Sequence, residues 1–273
     1  MTGSPEERWT PPTVDWDSAN PARMYDYFLG GKDNFPVDRQ AADKVLAVYP
    51  SLRNTAVANR GFLLRGVRRM AEEGIAQFLD IGSGYPTSPN VHEVAQSVAP
   101  SARVVYVDND PVVLVHARAK ITSSPEGVTG YVLGDLRDPA DILAAPPVQQ
   151  VLDLNQPVGL ILAAVLHFLP DDMHPLRAVQ HLIEVVAPGS YVLMSHITAD
   201  FAKDETFGRL AAAYSSTAIA GQARTRREFE QFFEGLELVA PGITLVQHWL
   251  PEAEVPPPPD DLMPCYGALA RKP

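Results

Sequence analysis

The sequence predicts a doubly wound α/β fold with a helical segment in front of it. Three observations predict this. From Ile75 onward, short apolar runs alternate with helical stretches, the order expected of a parallel sheet. The first run ends at Asp80 and meets Gly82-Ser83-Gly84 before a helix resumes near Asn90. Strand, Gly-x-Gly turn, helix is how such sheets open a nucleotide crevice. Finally, three successive strands end in acids, Asp80, Asp108 and Asp135, and ligands lie outside the carboxyl ends of the strands in this architecture.

Taken in order, residues 1 to about 20 are rich in Pro, Thr, Glu and Asp and read as a draped arm, with Trp9 and Trp16 as anchors. A short helix with a turn near Gly30-Gly31 follows. Pro36 suits the first turn of the next helix, where Val37, Ala41, Val45 and Val48 share a face. Ser51 is placed to cap a helix over about Arg53 to Glu72, with Val57, Phe62, Leu63, Val67 and Met70 as its apolar stripe. The alternation then runs as strand Ile75–Asp80, helix Asn90–Ala99 and strand Arg103–Asp108. Asp110-Pro111 opens a helix through Lys120, and strand Thr129–Leu133 comes next. Asp138-Pro139 opens a short helix, and residues 145 to 157 read as a loop. Strand Val158–Ala164 is apolar on both faces, as a central parallel strand should be. A helix over about Met173 to Val186 ends at Pro188-Gly189 and leads to strand Tyr191–His196. Helices at Lys203–Ser216 and Thr225–Phe233, a strand at Ile243–His248, a stiff Pro256–Pro259 run and a last strand, Tyr266–Ala270, complete the chain.

Composition narrows the function. The 273 residues carry a net charge of −11 and no basic block, which disfavours binding to nucleic acid backbones. No window approaches the apolar length of a membrane span, and Met1 to Thr10 lack the marks of a signal peptide, so a cytoplasmic location is expected. Cys265 is the single cysteine, so neither an intrachain disulfide nor a cysteine zinc site is available. No histidine pair has metal-binding spacing, and no metal is expected.

Gly82 and Gly84 allow backbone to approach a ligand where a Cβ would block it. Asp108, at the end of the second strand, is placed to accept hydrogen bonds from both hydroxyls of a ribose; the alternative is a loop acid or a helix cap. Asp135 is placed to receive an adenine amino group, or it simply forms a turn. Asp80 fixes the turn or meets an ammonium group through water. Tyr85-Pro86 stands where a third glycine is common after such a turn, a departure that weakens a dinucleotide reading most, because a pyrophosphate needs that glycine region near the helix N-terminus.

This ordered set resembles the class I S-adenosylmethionine-dependent methyltransferases. The matching residues are Leu79-Asp80-Ile81-Gly82-Ser83-Gly84, Val105-Tyr106-Val107-Asp108, Gly134-Asp135, and Leu160-Ile161-Leu162 with Leu166-His167-Phe168-Leu169. Tyr266 to Lys272 is similar to their final strand. Pro21-Ala22-Arg23-Met24-Tyr25-Asp26-Tyr27-Phe28-Leu29-Gly30-Gly31-Lys32-Asp33-Asn34-Phe35 resembles the signature of one actinobacterial methyltransferase family of unassigned substrate. The resemblance implies a Rossmann-like, seven-stranded, mostly parallel sheet with a reversed last strand and helices on both faces. It implies S-adenosylmethionine as cofactor, held by residues 74–273, with 1–73 as arm and helical cap.

That cofactor's carboxylate needs a cation or backbone N–H groups. Arg23 and Arg60 are candidates for a guanidinium fork, and Tyr27 and Asn34 for closing the site. Backbone at Gly82, Ser83 and Gly84 would line the methionine part, and Asn109, Gly134 and Leu136 join the cofactor set. Positioning supplies much of the catalysis of methyl transfer. If the acceptor atom is a hydroxyl, a base helps, and His167 and His196 are the candidates. A pocket capped by the N-terminal helices and residues 200 to 225 suits a small-molecule acceptor. The competing readings are a protein that binds S-adenosylmethionine or its demethylated product without turnover, and an NAD-dependent oxidoreductase.

Overall fold

The computed structural model describes residues 15–201, 209, 212, 214, 217, 219–251 and 264–273. Three helices come first: α1 (Pro21–Phe28), α2 (Pro36–Val48) and α3 (Leu52–Glu72). The alternating part follows as β1 (Gln77–Ile81), α4 (Val91–Val98), β2 (Arg103–Asp108), α5 (Pro111–Lys120), β3 (Val128–Leu133), α6 (Pro139–Ala144) and α7 (Pro146–Val151). It continues through β4 (Gly159–Ala163), α8 (Pro175–Val185), β5 (Tyr191–Ile197), α9 (Arg226–Glu230), β6 (Glu237–Leu238), β7 (Thr244–Leu245) and β8 (Cys265–Arg271).

The eight strands form one sheet in the order β3-β2-β1-β4-β5-β8-β6, with β7 also paired to β8. Strands β1 to β5 are parallel, and β8 runs antiparallel to β5 with Tyr191 opposite Arg271. The chain order reverses at β1, which pairs with β2 on one side and β4 on the other. A crevice therefore opens beyond the carboxyl ends of β1 and β4.

Side chains alternate across the sheet with the period of two that strands impose. Leu79, Ile81, Leu160 and Val192 pack with Ile142, Leu182 and Phe229 of α6, α8 and α9. Phe78, Ile161, Leu193 and Leu269 pack on the opposite face with Phe62, Val67 and Met70 of α3 and Val94 of α4. Each such side chain contributes about 1.5–3 kcal/mol through burial. Helix α3 is thus a layer of the sheet. Helices α1 and α2 build their own cluster, Met24, Phe28, Ala42 and Val45, over Ala56 of α3.

Several local expectations are corrected. Residues 146–151 are helical: Pro146 at the first helical position has no N–H to leave unpaired, and Val148 is fully buried. Helix α8 begins at Pro175, because His174 has a left-handed φ of 53° and Met173 closes a separate 3-10 turn. The strand expected at Ile243–His248 is registered against β8 at Thr244 and Leu245, with Val246 N–H also donating to Cys265 O at 2.9 Å; His248 N–H already turns back to Leu245 O at 2.8 Å. Ser51 precedes α3 but its side chain makes no cap bond, and Val57 is 58 % exposed. Trp16 is also exposed, its ring set edge-on to Phe35 with the centroids 4.9 Å apart. Trp9, Pro256–Pro259 and most of the helix expected at Lys203–Ser216 lie outside the described residues.

Candidate functional site

Two backbone N–H groups stitch the Gly-x-Gly turn to the end of β2: Gly82 and Ser83 both donate to Val107 O, at 2.8 and 3.1 Å. Gly82 and Gly84 have φ of 75° and 64°, the left-handed region in which a Cβ is unfavourable. At Gly82 a Cβ would also lie 2.6 Å from Cγ2 of Val165. The turn can therefore press against the loop after β4 only because this residue is glycine.

Asp108 faces that turn. Its Oδ2 accepts from Gly84 N–H at 2.8 Å and its Oδ1 from Asp110 N–H at 2.9 Å. The carboxylate is thereby fixed in orientation while retaining lone pairs for a ligand. Burial pushes its pKa up to about 6, against the pull of the two N–H groups. Asp80 is 4 % exposed, and burial pushes it up to about 7, with Arg60 opposing and Asp108 adding to the rise. Asp135 is different: Arg137 grips it with two bonds, 2.9 and 2.6 Å, and holds its carboxyl below the usual range.

A cleft of about 430 Å³ runs along these groups, within the range of small-molecule sites. Asp80, Gly82, Ser83, Gly84 and Asp108 line it from β1 and β2, and Asn109, Gly134, Asp135 and Leu136 from the ends of β2 and β3. Arg60 lines it from α3; its guanidinium also donates to Thr87 O and Pro89 O, which fixes the loop that follows the glycines.

Three predicted residues lie elsewhere. Arg23 is 4 % exposed, with Nε 3.3 Å from Asp110 Oδ2 and 3.6 Å from Asp38 Oδ1. It locks α1 against α2 and α5 and does not line the cleft. Tyr27 donates to Asp43 at 2.9 Å, and Asn34 donates to Asp26 at 2.7 Å and Gly31 O at 3.0 Å, so both are committed within the cap. The tyrosine of α1 that reaches the cleft is Tyr25. Residues two apart on a helix point to opposite faces, so α1 can present only one of these tyrosines. Arg137, Asn59 and Phe168 also line the cleft; Phe168 lies in the Leu166–Leu169 run, whereas nothing local in the sequence distinguishes Arg137 and Asn59.

Both ring nitrogens of His196 are occupied. It is fully buried; its Nδ1–H donates to Ile197 O at 2.7 Å and its Nε2 accepts from Arg224 at 2.8 Å. A guanidinium can only donate, so the Nε2 lone pair is taken. Burial, then the neighbouring His167, hold its pKa well below the usual range. His167 itself lines a second, smaller cavity next to the cleft. Burial and Arg224 push it down to about 3, so its imidazole is neutral and a poor proton acceptor at neutral pH. Among the described residues no cluster of three or more His, Cys, Asp or Glu is arranged to hold a metal ion, and no helix is long and apolar enough to cross a membrane.

The chain is similar along nearly its whole length to two solved structures. A DUF574 family protein from Streptomyces avermitilis is 47 % identical, with a TM-score of 0.91 over 96 % of this chain and 100 % of that one. A protein from Thermobifida fusca proposed to be a methyltransferase is 41 % identical, with a TM-score of 0.87 over 97 % of this chain and 99 % of that one. No curated protein matches the sequence. Residues 7–273 match the S-adenosyl methyltransferase family, and the chain belongs to that family, with S-adenosylmethionine as its cofactor.

Proposed function

We propose that the protein transfers a methyl group from S-adenosylmethionine to a small-molecule acceptor. The observation that carries this reading is the arrangement of Asp80, Asp108 and the Gly82–Gly84 turn around one cleft, with a second cavity opening beside it. The residues suit the cofactor. Asp108, held by two backbone N–H groups, would receive the ribose hydroxyls. Asp80 and Arg60 would face its ammonium and carboxylate, and Asp135 with Asn109 would border the adenine. When bound, S-adenosylmethionine supplies a methyl carbon already activated by the sulfonium. The protein's own part is to position the two reactants and exclude water. Neither His196 nor His167 is built to take a proton, so neither serves as the base that a hydroxyl acceptor would need. The occupied Nε2 of His196 and the neutral ring of His167 favour the second reading, a binding protein without turnover.

Calorimetric titration with S-adenosylmethionine, S-adenosylhomocysteine and NAD tests the cofactor part. Micromolar binding of the first two and none of NAD is expected. Release of S-adenosylhomocysteine in the presence of a panel of small acceptors then separates an enzyme from a binder. Asp108→Ala should weaken cofactor binding by at least about 1.5 kcal/mol, the scale of hydrogen bonds to a charged group. Unchanged affinity in a folded variant would remove Asp108 from the ribose site.

The raised pKa of Asp80 has a consequence whose sign can be measured. Between the usual value near 3.8 and about 7, the folded protein binds more protons than the unfolded chain. Unliganded stability therefore falls as pH rises through this window, and the penalty is fully present above it. Asp108, raised to about 6, acts in the same direction. A bound ammonium favours ionised Asp80, so cofactor affinity should rise from about pH 5 to about pH 8. Asp80→Asn should flatten that rise and also the loss of unliganded stability. A pH dependence of affinity identical in the variant and the native protein would show that Asp80 does not meet the ammonium.

A further inference from the structure

The smaller cavity, about 100 Å³, lies between the N-terminal helices and the loops after β4 and β5. It shares Pro21, Tyr25, Asn59, Ala164 and Phe168 with the cofactor cleft, so an occupant would sit directly beside the cofactor. Its body is apolar: Met24, Phe28, Leu52, Ala56, Phe168 and Ile197. No Asp, Glu, Lys or Arg among the described residues lines it.

The polar groups on its wall are largely consumed by one another. Tyr25 O–H donates to Ala56 O at 2.9 Å and accepts from Asn59 Nδ2–H at 2.9 Å. Asn59 Oδ1 accepts from Ser195 Oγ–H at 2.6 Å, and Ser195 Oγ accepts from Ala164 N–H at 2.9 Å. The Gln222 amide is paired on both sides with Asp171, donating at 2.8 Å and accepting at 2.9 Å. His167 breaks this pattern. Its Nδ1 is buried and has no hydrogen-bond partner, and burial keeps the ring neutral. A buried polar group without a partner calls for explanation, and a ligand that bonds to this imidazole provides one.

We propose that this compartment is the acceptor site and takes an uncharged molecule with an apolar body about the size of one ring, its single hydrogen-bonding group set against His167. The proposal rests on the methyltransferase reading above. The size limits the occupant: a cavity of about 150 Å³ lined by aliphatic and aromatic residues admits benzene, and this one, about 100 Å³ and sharing five wall residues with the cleft, holds no more than one ring. The charge selectivity follows from the wall, because an ionised group brought among apolar side chains and satisfied dipoles loses its hydration without a counter-charge.

The test uses the full chain saturated with S-adenosylhomocysteine, whose own binding is measured first. Phenol, 4-hydroxybenzoate and tyramine are then titrated at neutral pH by ligand-observed NMR. Phenol is expected to bind, and the anionic and cationic analogues at least about tenfold more weakly. Ala56→Phe fills the compartment without touching the cleft. It should weaken phenol at least about tenfold and leave S-adenosylhomocysteine affinity unchanged within about twofold. Leu52→Phe fills the same space from another position and serves if the first variant does not fold. Three results would overturn the proposal while leaving the cofactor assignment standing: no phenol binding to the product-loaded protein, equal binding of a charged analogue, or phenol binding that persists in the filled variants. Failure of S-adenosylhomocysteine to bind would instead overturn the function on which the proposal depends.

Discussion

Arg23→Ala should lower the unfolding free energy by about 3–5 kcal/mol, the cost of breaking a buried ion pair by removing one partner. Arg23, Asp38 and Asp110 have side chains that are 4, 0 and 3 % exposed. Asp38 keeps other partners when the guanidinium goes, since it accepts from Asn20 N–H and Phe35 N–H at 2.9 and 2.8 Å. Asp110 does not: its Oδ1 caps α5 through Val112 N–H, but its Oδ2 is buried and makes no hydrogen bond. An uncompensated carboxylate would be left at the seam between α1 and α5. Asp110→Asn in the same chain removes that charge and should recover part of the lost stability. Urea denaturation followed by circular dichroism measures both effects. The opposite outcome, little change in stability with a large loss of cofactor affinity, would return Arg23 to the ligand site.

Arg23 also shows where the sequence stops being legible. Strands β1, β2, β4 and β5 can be read because a central parallel strand is apolar on both faces and announces itself within a few residues. The acids at the strand ends can be read because architecture alone decides their place, and Asp80, Asp108 and Asp135 do line one cleft. What a long polar side chain does depends on partners that no local pattern supplies. Arg23 and Arg60 look alike in sequence, yet Arg23 meets Asp110, far along the chain, while Arg60 stands over the turn after β1. His196 ends a strand at the expected place, but Arg224 takes its lone pair. Tyr25 and Tyr27 differ only in helical phase, and a short helix beside a Gly-Gly break leaves that phase ambiguous. The two-residue strands β6 and β7 are too short to show any period at all.

Gly82→Ala should destabilise the unliganded protein by about 2–5 kcal/mol, combining a left-handed backbone penalty of about 1–2 kcal/mol with overpacking of about 1–3 kcal/mol. The first term comes from its φ of 75°, the second from a Cβ set 2.6 Å from Val165 Cγ2. Gly84 provides the control. Its φ of 64° carries the same kind of backbone cost, but no atom beyond its own chain neighbours lies within 4 Å of a Cβ built there. Gly84→Ala should therefore cost only the backbone term. Adding Val165→Ala to Gly82→Ala removes the methyl groups in the way and should recover most of the difference. Binding follows a separate logic. The Gly82 and Ser83 N–H bonds to Val107 O hold the turn that aims Gly84 N–H at Asp108, so a displaced turn should cost Gly82→Ala at least about tenfold in cofactor affinity. If Gly84→Ala loses affinity beyond what that backbone term explains, the space beside Gly84 is where the ligand packs. Equal destabilisation by the two alanines would mean that the loop after β4 yields freely, and that the close approach of Val165 does not set the shape of the crevice.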